Sequence, residues 1–210
     1  MNVRLLRLVL VLGALASPTL VQGQVERLAG RMDEGTRAAV AAVVDSARMA
    51  GVPAEPLVNK ALEGASKGAD GARIVTAVRA LAADIGRART ALGPSATAPE
   101  LVAGGAAVRA GVRPAFLESL RGRYPRESLM VPLAVMADLV ARGVPADTAA
   151  QSVVALMREG VRDAELVAFR QSVERDIALG VPAGGAVAVR LTDVPAAPGT
   201  NSHPTPPRKP

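Results

Sequence analysis

Apolar residues recur every three to four positions along much of this chain. Ile74, Val78, Leu81, Ile85 and Ala88 form the clearest stripe, and Leu166, Val167, Val173 and Ile177 form a second. Such spacing places each set on one face of a helix. The stripes are separated by a recurring stop-and-start signal: Gly51-Val52-Pro53-Ala54, Gly143-Val144-Pro145-Ala146 and Gly180-Val181-Pro182-Ala183. Gly closes one helix in the left-handed conformation and Val packs back on it. Pro then opens the next helix, where its missing N–H costs nothing. Thr97-Ala98-Pro99-Glu100 reads as a capping box with Pro in the first turn. Together these signals predict helices near 34–50, 54–67, 71–91, 98–110, 114–122, 132–142, 146–159, 163–179 and 182–190. Pro132 interrupts the apolar run from Leu129 to Val135, which sets the 132 start.

The punctuation also hints at internal repetition. An ungapped slide of 92 positions brings Gly51 to Ala54 onto Gly143 to Ala146 and Gly68 onto Gly160. It also brings Val75 onto Val167, Asp84 onto Asp176 and Ile85 onto Ile177. A slide of 49 aligns Arg109 to Leu117 with Arg158 to Leu166. The expected unit is a two-helix hairpin recurring about three times, over 51–91, 97–142 and 143–180. If so, Ile85 and Ile177 are buried at the same helical turn, Val75 and Val167 match in burial, and Gly68 and Gly160 have positive φ. The fold class is therefore all-α. Its helices are either stacked hairpins, α-solenoid-like, or a compact irregular helical bundle. Neither the tetratricopeptide nor the ankyrin signature is present.

The two ends differ from this body. Arg4 and Arg7 precede and punctuate a short apolar run, Leu8 to Ala16, with small residues following. This is the pattern of a secretory signal peptide, residues 1–23, cleaved after 16 at Ala14-Leu15-Ala16 or after 23 at Val21-Gln22-Gly23. The run is too short to cross a bilayer, which takes about 20 residues. The body is expected as a single α-helical domain over 24–190. Residues 191–210, rich in Pro, are expected as a disordered tail with nothing to bury. Trimming both ends changes the charge: the net +6 of the whole chain becomes 21 basic against 18 acidic residues between Gln24 and Arg190. Arginine dominates the basic residues, and Ala, Gly and Pro are abundant, a bias that suggests a GC-rich bacterial genome.

Composition then removes whole chemistries. With no Cys, the chain has no thiolate nucleophile, disulfide or Cys-based zinc site. The one His, His203, sits in the Pro-rich tail. Aromatics amount to Phe116, Tyr124 and Phe169, too few for a base-stacking platform, so nucleic acid is not an expected partner. Strands favour β-branched and aromatic residues, and a chain with three aromatics that favours Ala, Leu and Arg argues against a sandwich or barrel. Neither a GxxxxGK[ST] nor a GxGxxG phosphate loop occurs. Gly64-Ala65-Ser66-Lys67-Gly68 has the spacing of a serine-hydrolase elbow, but it ends a helix instead of joining strand to helix. Ser66 and Lys67, as helix neighbours, do not face each other.

Two clusters remain as candidates. Lys60, Glu63 and Lys67 are spaced three and four apart and line one helix face, as a polar groove or as a solvated ion-paired surface. Arg121, Arg123, Tyr124 and Arg126 form the densest basic stretch, on a Gly/Pro-broken connection suited to an anion or a protein partner. No catalytic, cofactor-binding or metal-ligating residue is assigned, and no cofactor is expected. The expectation is an exported, non-enzymatic α-helical binding or scaffolding protein, periplasmic or secreted, whose partner is a protein or another envelope component. The alternatives are an enzyme or enzyme subunit using a Lys/Glu/Arg pocket, and an envelope-associated structural protein retained by its N-terminal segment.

Overall fold

Most of the helices begin at a side-chain cap or at a proline. In the computed structural model, which describes residues 27–193, these starts lead into α1 (Glu34–Met49), α2 (Ala54–Ser66), α3 (Gly71–Leu92) and α4 (Ala98–Arg109). They are followed by α5 (Pro114–Arg123), α6 (Met130–Ala141), α7 (Ala146–Arg158), α8 (Asp163–Ala178) and α9 (Ala183–Thr192). Asp33 and Asp70 cap α1 and α3 by accepting from the backbone N–H of Thr36 and Arg73. Thr97 and Glu100 form the expected capping box at α4. Pro53, Pro145 and Pro182 each stand immediately before a helix.

Helix ends follow the same logic. Gly51, φ 75°, and Gly143, φ 91°, occupy the left-handed region that an L side chain resists. The Val after each glycine donates its N–H to a carbonyl five residues back, Val52 to Ala47 and Val144 to Leu139. Both valines then fold onto the core, 3 % and 1 % exposed.

The helices pack in a compact bundle around a core of Leu, Val, Ile and Ala, and closely packed pairs are never more than two apart in chain order. The long α3 is one hub and touches α1, α2, α4 and α5. α6 is the other, meeting α4, α7 and α8, and α9 closes the far end against α7 and α8. Small residues set the closest approach. A side chain at Gly105 of α4 would meet Ile85 of α3, its Cγ1 at 2.7 Å and its Cα at 3.1 Å.

Several expectations need correction. α6 starts at Met130, not at 132: Pro132 lies in the first turn, where no intrahelical N–H is required of it. α9 runs to Thr192, past the expected boundary at 190, because Leu191 still packs against the core. Residues 97–142 hold three helices, α4 to α6, so this stretch is not one hairpin. The 92-residue offset does relate the starts of α2 and α7, and of α3 and α8. Gly68 and Gly160 both have positive φ, 67° and 81°. Burial does not follow: Ile85 and Val75 are buried, whereas Ile177 and Val167 are half-buried. The partners explain it. α3 is surrounded by four helices and α8 by α6 and α9 alone among the closely packed pairs, so the same stripe has less to lie against. The signal-peptide and tail expectations, and His203, fall outside the described residues.

Candidate functional site

The polar face of α2 forms as the spacing predicts. Glu63 bridges two lysines, accepting from Lys60 Nζ at 2.9 Å and from Lys67 Nζ at 2.5 Å. Hydrogen bonds first from Lys67 and then from Lys60 hold its carboxyl down to about 2, from an ordinary 4.5. All three side chains keep substantial exposure, so the trio is a solvated ion-paired surface. Ser66, next to it, donates its hydroxyl to the Glu63 carbonyl at 2.9 Å, the ordinary bond of a serine ending a helix. On the neighbouring surface an open pocket of about 780 Å³ is lined by Arg27, Arg31, Asn59, Glu63 and Ser66 together with the apolar Ala29, Leu62 and Ala65.

The arginine-rich connection after α5 is put to a different use. Arg121 turns inward. Its Nη2 donates to Glu100 Oε1 at 2.5 Å, and its Nη1 faces the carbonyls of Tyr124 at 3.3 Å and Glu127 at 3.1 Å. Glu100 itself, 3 % exposed, also accepts from the backbone N–H groups of Thr97 and Leu129, both at 2.8 Å. One carboxylate thus ties the start of α4 to the end of α5 and to the residue preceding α6. Burial raises its pKa, but the donors, Leu129 first, outweigh burial and hold it at about 2. Arg121 is therefore committed to the fold and is not offered to a ligand. Tyr124 is half-buried and packs against the core, which leaves Arg123 and Arg126 exposed.

A largely apolar concavity involves neither cluster. It is a groove of about 640 Å³ walled by α2, α4 and α6. Pro53, Pro56 and Pro99 line it together with Ala103, Ala106, Ala134 and Ala137, and Val102 and Met130 among them are 38 % and 41 % exposed. Glu55 and Asp138 also border it. Proline and alanine have almost no rotamer freedom to lose, so covering such a wall costs little ordering entropy. Sequence reasoning missed this groove because its three walls are not consecutive helices, and periodicity within one helix carries no information about which helices stand side by side. The exposed Val102 and Met130 were its only local signal.

Several of the remaining charges pair across helices. Asp84 of α3 accepts from Arg109 of α4 at 2.7 Å, and Asp176 of α8 accepts from Arg190 of α9 at 2.7 and 2.8 Å. Among the described residues no group of three or more His, Cys, Asp or Glu is placed to hold a metal ion, and no helix is long and apolar enough to cross a membrane. Compared with protein-family models, with curated proteins and with solved structures, the chain matches none of them.

Proposed function

We infer that this protein is a non-enzymatic binding or scaffolding module, exported from a bacterial cytoplasm and working in the periplasm or outside the cell. The observation that carries the binding half is the groove between α2, α4 and α6. Its stiff, apolar, partly exposed wall suits another helix or an extended apolar segment of a protein better than a small polar substrate. The export half rests on the charged start and short apolar run of residues 1–23. The test has two parts. Intact mass of the protein recovered outside the cytoplasm is expected to lack residues 1–16 or 1–23. Cross-linking from the groove in the cell envelope is expected to trap a protein partner. A full-length mass in the membrane fraction favours instead a structural protein retained by its N-terminal segment.

A second reading, an enzyme or enzyme subunit, draws on the open pocket beside Glu63, whose lining brings together Arg27, Arg31, Glu63 and Ser66, with Arg27 donating to Asn59 at 3.2 Å. Its weakness is chemical: Glu63 is held ionised by two lysines, which leaves it a poor general base near neutral pH.

A further inference from the structure

Among the described residues the far end of the bundle is the least covered of the Gly-Val junctions. Val52, Val112 and Val144, each following a glycine that ends a helix, are 3 %, 1 % and 1 % exposed, and Val161 after α7 is half-buried. Val181, in the same position after α8, is 37 % exposed. Beside it Leu179 is 77 % exposed and Val189 of α9 is 53 % exposed. Gly185 and Val189 share one face of α9 at a spacing of four, and Val181, just ahead of the helix, lies 3.8 Å from where a side chain at Gly185 would begin, so the three form one apolar stripe.

The stripe is also open to close approach. Ala103-Gly104-Gly105-Ala106 of α4 and Ala183-Gly184-Gly185-Ala186 of α9 are the same four residues. In α4 they receive another helix at short range: a side chain at Gly104 would lie 2.9 Å from Ala88. In α9 none of the described residues lies within 4 Å of a side chain placed at Gly184, and Val181 alone among them lies within that distance of one at Gly185. The glycine pair that meets a helix in α4 is thus exposed in α9, among the described residues.

Beside each apolar surface stands one exposed charge, unpaired among the described residues, and the two have opposite signs, whereas Asp138 at the groove and Arg190 beside Val189 are already paired. Arg175, one turn before Leu179, is exposed and makes no ion pair among the described residues. Glu55, at the border of the groove, is likewise exposed and makes no ion pair among the described residues. Within one molecule α9 packs on α7 and α8, away from the groove.

We propose that these two surfaces belong together across molecules: the Leu179–Val181–Val189 stripe of one copy docks into the α2–α4–α6 groove of a second, with Arg175 meeting Glu55. This inference rests on the groove being a docking surface and names its occupant. The contact is head-to-tail, so each copy keeps one free groove and one free stripe. Association then continues past the dimer unless it closes into a ring.

Sedimentation velocity over a range of concentrations tests it, with the protein purified as the cell makes it. The wild type is expected to show concentration-dependent species larger than a dimer, or a closed ring. The groove variant Val102→Lys/Met130→Lys and the stripe variant Leu179→Lys/Val189→Lys change only partly exposed side chains, and unchanged circular dichroism and melting establish that they fold. Each alone is expected to associate at least about tenfold more weakly, a change equivalent to about 1.4 kcal/mol. Mixed, they are expected to stop at a one-to-one heterodimer, because one supplies a stripe and the other a groove. Glu55→Arg and Arg175→Glu are each expected to weaken association, and their mixture to restore part of it.

A wild type that stays monomeric overturns the proposal. So does a stripe variant that cannot be rescued by the groove variant, which points to stripe-on-stripe pairing. Oligomers that appear only when 194–210 is deleted overturn it as well and make that segment the occupant. Photo-cross-linking from Val102 separates the two layers. A monomer that still traps another protein there keeps the binding reading and loses the self-docking, and a monomer that traps nothing loses both.

Discussion

Replacing Glu100 with glutamine perturbs a buried carboxylate held by four donors. The wild-type carboxylate accepts from two backbone N–H groups, the Thr97 hydroxyl and the Arg121 guanidinium. Its side chain is 4 % exposed and that of Arg121 is 14 % exposed. The amide keeps the size and one acceptor oxygen but leaves Arg121 without its countercharge. Breaking a buried pair by removing one charge costs about 3–5 kcal/mol. The residual exposure of Arg121 and its carbonyl partners at Tyr124 and Glu127 place the expected loss near the low end, about 3 kcal/mol at pH 7. For a domain of this size that lowers Tm by about 6–12 °C.

The pH dependence supplies a sharper check. The folded pKa of Glu100 is depressed, from 4.5 to about 2, so its contribution is complete above the unfolded value and is lost as pH falls toward 2. Chemical denaturation of wild type and Glu100→Gln at several pH values is the assay. The gap between them should be widest at pH 6–7 and narrow steadily below about pH 4.5. A loss under about 1 kcal/mol at pH 7, or a gap indifferent to pH, refutes the reasoning that one charge-assisted knot joins α4, α5 and α6.

Ile85→Ala should cost about 2–5 kcal/mol, because Ile85 is fully buried, whereas Ile177→Ala should cost clearly less, and parallel urea titrations measure both. Gly105→Ala should destabilise by about 1–3 kcal/mol by forcing α4 off Ile85. Gly86→Ala, within α3 and with nothing within 4 Å of its added carbon, should stabilise by about 0.5–1 kcal/mol, so the two melting curves should move in opposite directions. Glu63→Gln should leave Tm almost unchanged at pH 7, since its lysine bridges are solvated, and a drop of several degrees would show that this face is structural.

Much of the helical framework was legible because its signals are local. A cap, a left-handed glycine and a proline each act within one turn, so the starts at Ala54, Gly71, Ala98, Pro114, Ala146 and Asp163 follow from the residues around them. Pro132 misled because a proline inside an apolar run reads as a boundary, although the first turn tolerates it. The clusters fared unevenly for the same reason. Lys60, Glu63 and Lys67 share one helix, and their spacing foretold their bonds. Arg121 was read as a surface cation because its partner lies 21 residues away, across a turn of the chain that periodicity does not describe. Ile177 failed to match Ile85 because equal sequence does not supply equal neighbours.

The groove's role in binding is tested most directly inside the cells that make the protein. A photoreactive amino acid at Val102, in the groove, is compared with one at Arg48, exposed on α1 and outside the groove. Irradiation is expected to give a discrete protein adduct from position 102, abolished by Met130→Lys, and none from position 48. Equal adducts from both positions, or none from 102, would contradict the assignment of the α2–α4–α6 groove as the working face.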